Sequence, residues 1–304
     1  PTETGLRLAW NFNLDFTDDS GDWYDISVDA QTGKVIWANN YTAHHDHDGD
    51  RHADHTADEH DATALAAGGT TATYNVYALP KESPYDGART LEVNPWEAAG
   101  TGPNSPSPYG WQDLDGIPGA DSTLTVGNNV LAQDDANNNN GTDGLKPDGG
   151  AGLDFDFPID LTQAPSTYRA AAVTQLYYYN NVLHDLHYIY GFNEQWWNFQ
   201  TNNYGRGGAG NDEVQADAQD GGGTNNANFA TPADGSKPRM QMYLWNGGTP
   251  NRDGDLDNGI IAHEYGHGVS NRITTRGAGQ MSATQSRGMG EGWSDWWGLM
   301  FSQQ

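Results

Sequence analysis

Apolar and polar positions alternate near the start of the chain. Leu6, Leu8, Trp10, Phe12, Leu14 and Phe16 are each separated by one residue, the period-two pattern of a half-buried strand. After the turn Asp18-Asp19-Ser20-Gly21, Trp23, Asp25-Ile26-Ser27-Val28 and Lys34-Val35-Ile36-Trp37 predict a hairpin around Gln31-Thr32-Gly33. Residues 1–42 thus read as a small antiparallel β unit, too short to be stable alone. The periodicity stops at 43–61, AHHDHDGDRHADHTADEHD, which holds six of the ten histidines and seven acids. Almost no apolar side chain there repays ordering, so this stretch reads as a linker and a domain boundary. Its composition fits a solvated connector better than a metal-buffering tract.

Residues 70–165 read as loop-rich, with short strands at Tyr74–Leu79 and Thr123–Val126. Asp134-Asp135-Ala136-Asn137-Asn138-Asn139-Asn140-Gly141 has a calcium-loop flavour. Counted from Asp135, however, Asn140 stands where such a loop needs glycine, so a polar turn is expected. Helical spacing appears at 167–190: Val173, Leu176, Tyr177, Leu183, Leu186 and Tyr190 fall on one face, with Ser166 as N-cap and Gly191 beyond the end. His184 and His187 lie three apart on this helix, but no third ligand is near in sequence, so a structural role is expected.

The chain has 304 residues, 41 Asp+Glu against 14 Lys+Arg, and a formal charge of −27. Such acidity excludes nucleic acid and anionic membranes as natural partners, since both would be repelled. No apolar run approaches the ~18 residues of a membrane span. The absence of cysteine removes disulfides, Cys-ligated zinc and a thiol nucleophile.

At 260–271 the chain reads IIAHEYGHGVSN. On a helix, His263 and His267 stand one turn apart on the same face and can reach one ion, with Glu264 beside them and free of it. A hydrolytic zinc needs a third ligand and an open fourth position. Beyond His267 there is no further histidine, and the only carboxylates are Glu291 and Asp295, in GMGEGWSDWWGLM. They are i,i+4 on a second expected helix whose buried face would be Trp293, Trp296, Trp297, Leu299 and Met300. Glu291 can complete the site while Asp295 accepts the spare N–H of a ligand histidine. A third histidine of the His-Glu-x-x-His-x-x-Gly-x-x-His kind is excluded, because Ser270 and Ile273 occupy the required positions.

These segments resemble thermolysin-type zinc peptidases, and more closely the fungalysin family. The similarity runs through YNVYALPKESPYDG, NNVLHDLHYIYGFNE, GNDEVQADAQDGGGTNNANFATP, RMQMYLW and RDGDLDNGIIAHEYGHGVSNR to GMGEGWSDWW, covering most of the chain beyond about Thr73. WYDISVDAQTGKVIW resembles the end of that family's inhibitory propeptide. The resemblance implies zinc ligands His263, His267 and Glu291, a general base Glu264 acting on the zinc-bound water, and an outer acid Asp295. It also implies a substrate-pairing edge strand at Asn226-Ala227, where the residues alone suggest a plain turn at Asn225-Asn226.

The expected fold is α+β. A thermolysin-like zincin N-terminal catalytic subdomain, a mixed sheet with active-site helices, occupies 70–304. It follows a β propeptide remnant (1–42) and a His/Asp-rich processing linker (43–69). With nine residues after Asp295, the C-terminal helical subdomain of that fold, with its oxyanion donors, is expected to be absent. The expected function is a secreted, zymogen-derived zinc endopeptidase acting on proteins or peptides, with its own propeptide as intramolecular inhibitor. The alternative is a non-enzymatic zinc-binding or metal-buffering fragment. Calcium is a cofactor the sequence allows without locating it.

Overall fold

The computed structural model describes residues 9–15, 23–29, 34–40 and 71–302. Leu6, Leu8 and Phe16, the turns at 18–21 and 31–33 and the tract 43–61 lie outside the described residues. The chain divides into two units, Pro1–Ala62 and Thr63–Gln304.

In the first unit, β1 (Ala9–Asp15), β2 (Trp23–Asp29) and β3 (Val35–Asn40) form an antiparallel meander. Trp10, Phe12 and Leu14 stand opposite Val28, Ile26 and Tyr24, the register that the alternation predicts. A register shift between Ser27 and Val28 interrupts the second pairing, with Trp37 opposite Ser27 and Val35 opposite Val28.

The second unit contains β4 (Thr73–Val76), β5 (Thr90–Val93), β6 (Val130–Asp134), β7 (Asp154–Phe155), β8 (Val214–Thr224), β9 (Ala227–Ala230), β10 (Arg239–Trp245) and β11 (Arg252–Asp253). Its helices are α1 (Arg169–Ile189), α2 (Asn258–Thr275) and α3 (Thr284–Phe301). A mixed sheet runs β11-β10-β8-β6, with β8 parallel to both neighbours and β9 antiparallel on β10. A smaller sheet has the order β5-β4-β7. The expected strand at Tyr74–Leu79 begins one residue earlier and ends at Val76. That at Thr123–Val126 forms only isolated bridges, Leu124 with Asp148 and Val126 with Leu131.

Helix α1 packs on β6, β8, β4 and α2 and is buried without interruption from Ala171 to Asn181. A helix buried all round is a core element rather than an amphipathic lid. Leu176 and Leu183 are fully buried, each contributing about 2 kcal/mol of burial. Tyr74, Phe155 and Trp111 pack beside Tyr177 and Tyr178 of this helix, with Tyr74 stacked on Phe155 at 5.1 Å. Asp185 secures the loop before β6, accepting from Ser107 Oγ at 2.7 Å and Trp111 Nε1 at 2.8 Å. Ser166 is not the N-cap: Pro165–Thr167 form a 3-10 turn and the helix starts behind Tyr168 without a side-chain cap. The proline favours that tight lead-in and displaces the start by a few residues. Gly191, with φ of +102°, follows the end as expected.

Both α1 histidines are inside. His184 Nδ1 lies 2.9 Å from Asp185 Oδ1, and Asn198 Nδ2 lies 3.3 Å from its other ring nitrogen. His187 donates from Nδ1 to the Leu183 carbonyl at 2.7 Å. Its ring sits among Tyr265, Trp297 and Phe301, joining α1 to α2 and α3.

Helix α2 is fastened at both ends. Asp257 caps its N-terminus, and Asn258 Nδ2 donates to the carbonyls of Tyr77 and Lys81. Near the other end the fully buried Arg272 donates to the Trp197 and Pro232 carbonyls and to Asp212 and Asp234. Helix α3 packs along α2 through small residues and one aromatic, Trp297, rather than through the expected aromatic stripe. Its buried positions are Gly290, Ser294 and Gly298, whereas Trp293, Trp296, Leu299 and Met300 are exposed and Trp297 is half-buried. The small side chains let the two backbones approach: a Cβ on Gly298 would stand 3.0 Å from the Gly259 carbonyl oxygen, and one on Gly266 would stand 3.1 Å from Ser294 Oγ.

Two outcomes follow. Gly298→Leu should lower stability by about 1–3 kcal/mol, because overpacking forces the helices apart; an unchanged chemical-denaturation midpoint would contradict the packing described. Burial pushes the His187 imidazole down to about 4, from an ordinary 6.5. As pH falls, the unfolded chain takes up this proton first, so stability is present above 6.5 and is lost as pH falls towards 4, by about 3 kcal/mol. His187→Phe should therefore lessen the drop in melting temperature between pH 7 and pH 4.5; an equal drop in both proteins would refute it.

Candidate active site

The hydrogen-bonding frame of α2 dictates which side chains converge. His263 and His267, four apart, turn their Nε2 atoms towards each other at 3.0 Å, ring centroids 4.7 Å apart. From α3, Glu291 brings Oε2 to 3.3 Å from His263 Nε2 and 3.4 Å from His267 Nε2. One turn on, Asp295 Oδ1 lies 2.9 Å from His263 Nδ1. An Nδ1–H donated to Asp295 leaves the lone pair of His263 Nε2 free to ligate.

Two facing Nε2 atoms with a carboxylate oxygen make a set that, with both imidazoles in the ligating tautomer, can hold a cation between them. Bonds of ~2.0–2.1 Å at tetrahedral angles put ligand atoms roughly 3.3 Å apart. The separations of 3.0, 3.3 and 3.4 Å fit that edge. Burial lowers the His267 pKa, which Glu291 counters in part, so the neutral, ligating form of the imidazole is favoured. His263, His267 and Glu291 are therefore the residues that could hold zinc.

Glu264 is different in kind. It is buried, its Oε2 has no hydrogen-bond partner, and it lines the same cleft. Burial raises its carboxyl to about 8, with the charge of Glu291 as a smaller contribution. An unpartnered carboxyl with such a proton affinity, beside a cation site, is equipped to take up and release a proton near neutral pH.

The opposite wall is β9. Among the described residues it pairs only with β10, Ala227 standing opposite Met242, so its second edge is open. Asn226, Ala227, Asn228 and Phe229 line the cleft with His263 and His267. Asn225 makes the corner: its φ is +57°, and its side chain and that of Asn246 bond reciprocally across the sheet, Asn225 Nδ2 to Asn246 Oδ1 and Asn246 N to Asn225 Oδ1. The plain turn and the edge strand are thus successive parts of one segment. Gly268 makes room behind β9, since a Cβ there would meet Phe229 at 2.6 Å.

Of the site residues expected from the sequence, Asn226, Ala227, His263, Glu264, His267 and Glu291 line one cleft, and Asp295 adjoins it through His263. Sequence reasoning missed Arg272, which ties α2 to the 231–236 segment after β9, and the Gly290/Ser294/Gly298 stripe that carries Glu291. An arginine amid the apolar positions of α2 was the available signal for the first, and the i,i+4 recurrence of small residues for the second. The acidic loop expected as a polar turn closes on itself, Asp135 accepting from the backbone N–H groups of Asn139 and Asn140, both at 3.0 Å. Its carboxylate comes within 4.8 Å of Asp217 and Asp220, which are held by Gln133, Arg239 and Gln241.

Residues 73–304 match the family described as Fungalysin metallopeptidase (M36). The chain is 42% identical over 300 residues to the extracellular metalloproteinase MEP of Fusarium vanettenii, covering 96% of this chain and 41% of that protein. It is 45% identical over 296 residues to extracellular metalloproteinase 5 of Trichophyton tonsurans, covering 95% and 42%. Extracellular metalloproteinase 2 of the same organism is 43% identical over 229 residues, covering 75% and 35%. The chain spans about two fifths of the length of the first two relatives. With the match extending through both ligand-bearing helices, the chain belongs to the fungalysin family of metallopeptidases.

Proposed function

We propose that this chain carries the metal centre and substrate edge of a secreted zinc-dependent endopeptidase. The observation that carries this reading is the convergence of His263, His267 and Glu291 beside the unpartnered carboxyl of Glu264. Extracellular location is supported by the names of the relatives, and among the described residues no helix is long and apolar enough to cross a membrane.

When bound, zinc supplies Lewis-acid chemistry, polarising a carbonyl and acidifying water at its open position. The chain's own residues do the rest. Asp295 holds His263 in the ligating tautomer. β9 offers its free edge to an extended peptide, with Ala227 supplying main-chain bonds and Asn226 a side-chain amide, so the backbone of the substrate is laid across the cleft. Glu264 takes the proton of the attacking water at its carboxylate and returns it to the departing amine.

The first unit is read as the end of an inhibitory propeptide, 43–69 as the processing linker and 70–304 as catalytic domain. Support comes from the family match beginning at residue 73 while the alignment to the Fusarium relative covers 96% of the chain. The first unit is therefore shared with that relative but lies outside the metallopeptidase match.

Glu264→Gln should keep one bound zinc, measured by metal analysis after dialysis, while peptide hydrolysis falls by at least about a hundredfold; normal turnover in that variant would sink the assignment. The metal-buffering alternative is separated by stoichiometry. One tight zinc, lost on His263→Ala and kept on deleting 43–61, is expected; several weak ions lost with that deletion would reverse the reading. A proteolytic cut within 43–69 should raise turnover, and unchanged turnover would remove the zymogen.

A further inference from the structure

The cleft between β9, α2 and α3 has a volume of about 290 Å³. Its charged lining residues besides the two histidines are Glu264, Glu291 and Arg287. The two glutamates are accounted for; Arg287 is not. It lies on α3 four residues before Glu291, hence on the same helical face one turn nearer the N-terminus.

Arg287 is exposed, and no ion pair involving it occurs among the described residues. Carboxylates are abundant in this chain, and Arg169, Arg206, Arg239 and Arg272 have each found one. The natural intrahelical partner, Glu291, turns its Oε2 to the two imidazoles instead. The other polar lining groups of the cleft are uncharged amides: Asn271 on α2, Gln280 before α3, Asn226 just before β9 and Asn228 on it. Asn271 is already spent on Thr231 and the Met281 N–H, so it is not a competing acceptor.

We propose that Arg287 is a specificity-determining residue that receives an aspartate or glutamate side chain of the peptide laid along β9. This rests on the peptidase reading above. An extended strand turns alternate side chains to one face, so a guanidinium on one wall of the cleft reads one substrate position rather than the peptide's total charge. A carboxylate matches the planar fork of arginine, and the occupant itself excludes water from a pair that is solvent-exposed in the empty cleft. In a protein this acidic, the overall field disfavours acidic peptides, and a local cation facing the cleft offsets that repulsion at one position only.

The test is a peptide series differing only by Asp, Glu, Ala or Lys at each position flanking the cleaved bond, assayed with the zinc-loaded wild type, Arg287→Ala and Arg287→Glu. Expected is one position where kcat/KM for Asp or Glu exceeds that for Ala by about tenfold. That ratio should fall to near one in Arg287→Ala, and the preference should pass to Lys in Arg287→Glu. A wild type without an acidic preference at any position, or a ratio that survives while all rates fall together in Arg287→Ala, would overturn the inference. A zinc-loaded wild type, cut within 43–69, that hydrolyses no peptide would instead refute the peptidase reading. Binding of the same labelled peptides, followed by fluorescence anisotropy, then decides: Arg287-dependent preference for the acidic peptide sustains the inference, and equal affinities end it.

Discussion

The distance between α2 and α3 is the constraint on which the site depends. Three donor atoms separated by 3.0–3.4 Å must come from two helices, so an error of an ångström in the helix separation would dissolve the set. Side chains of ordinary size could not hold backbones this near. Gly259 and Gly266 on α2 meet Ser294, Trp297 and Gly298 on α3, and the contact is made by backbone atoms, the Ser294 hydroxyl and the edge of the Trp297 indole. Behind it stand α1 and the sheet, with His187 wedged between the rings of Tyr265, Trp297 and Phe301. The neutral state that burial imposes on His187 suits this position, since a charged ring there would be costly to desolvate.

The acidic excess is handled by location. Buried carboxylates are engaged by arginine at Asp212 and Asp217 and by a hydroxyl and an indole N–H at Asp185. Asp253 and Asp255 form a tighter case: burial raises both, the charge of Asp253 raises Asp255 further, and hydrogen bonds from Asp255 favour the Asp253 carboxylate, so together they hold a proton where two charges would not fit. Glu264 is the carboxyl left without a partner on the side where the cation site lies. Its proton affinity comes chiefly from the protein around it, which is the property a proton-transferring group needs before any substrate arrives.

Much of the site was legible because it is written in helical periodicity. His263 with His267, and Glu291 with Asp295, are i,i+4 pairs whose common face needs no tertiary information. What misled was hydrophobicity on α3. A stripe of Trp, Leu and Met was expected inward, yet the inward stripe is Gly290, Ser294 and Gly298, because close backbone approach selects small residues and hydropathy scoring overlooks them. Tertiary context likewise moved the start of α1 away from Ser166, where Pro165 prefers a 3-10 turn. The edge role of β9 could not come from composition, since an unpaired edge is a statement about which strands are not adjacent. Arg272 was silent for a similar reason: its acceptors, Trp197, Asp212, Pro232 and Asp234, lie 38 to 75 residues away in sequence.

The two helices are anchored unequally. Asn258 and Arg272 tether α2 near both ends to segments distant in sequence, whereas α3 lies against α2 along one narrow stripe with its Trp293 and Trp296 outward. An ion held by His263, His267 and Glu291 would therefore work as a clasp between a fixed helix and a freer one. By linkage, whatever steadied α3 would then tighten the grip on the ion, and removing the ion would slacken α3. Metal occupancy and helix position would be one thermodynamic variable, and a chelator would act as a mechanical release.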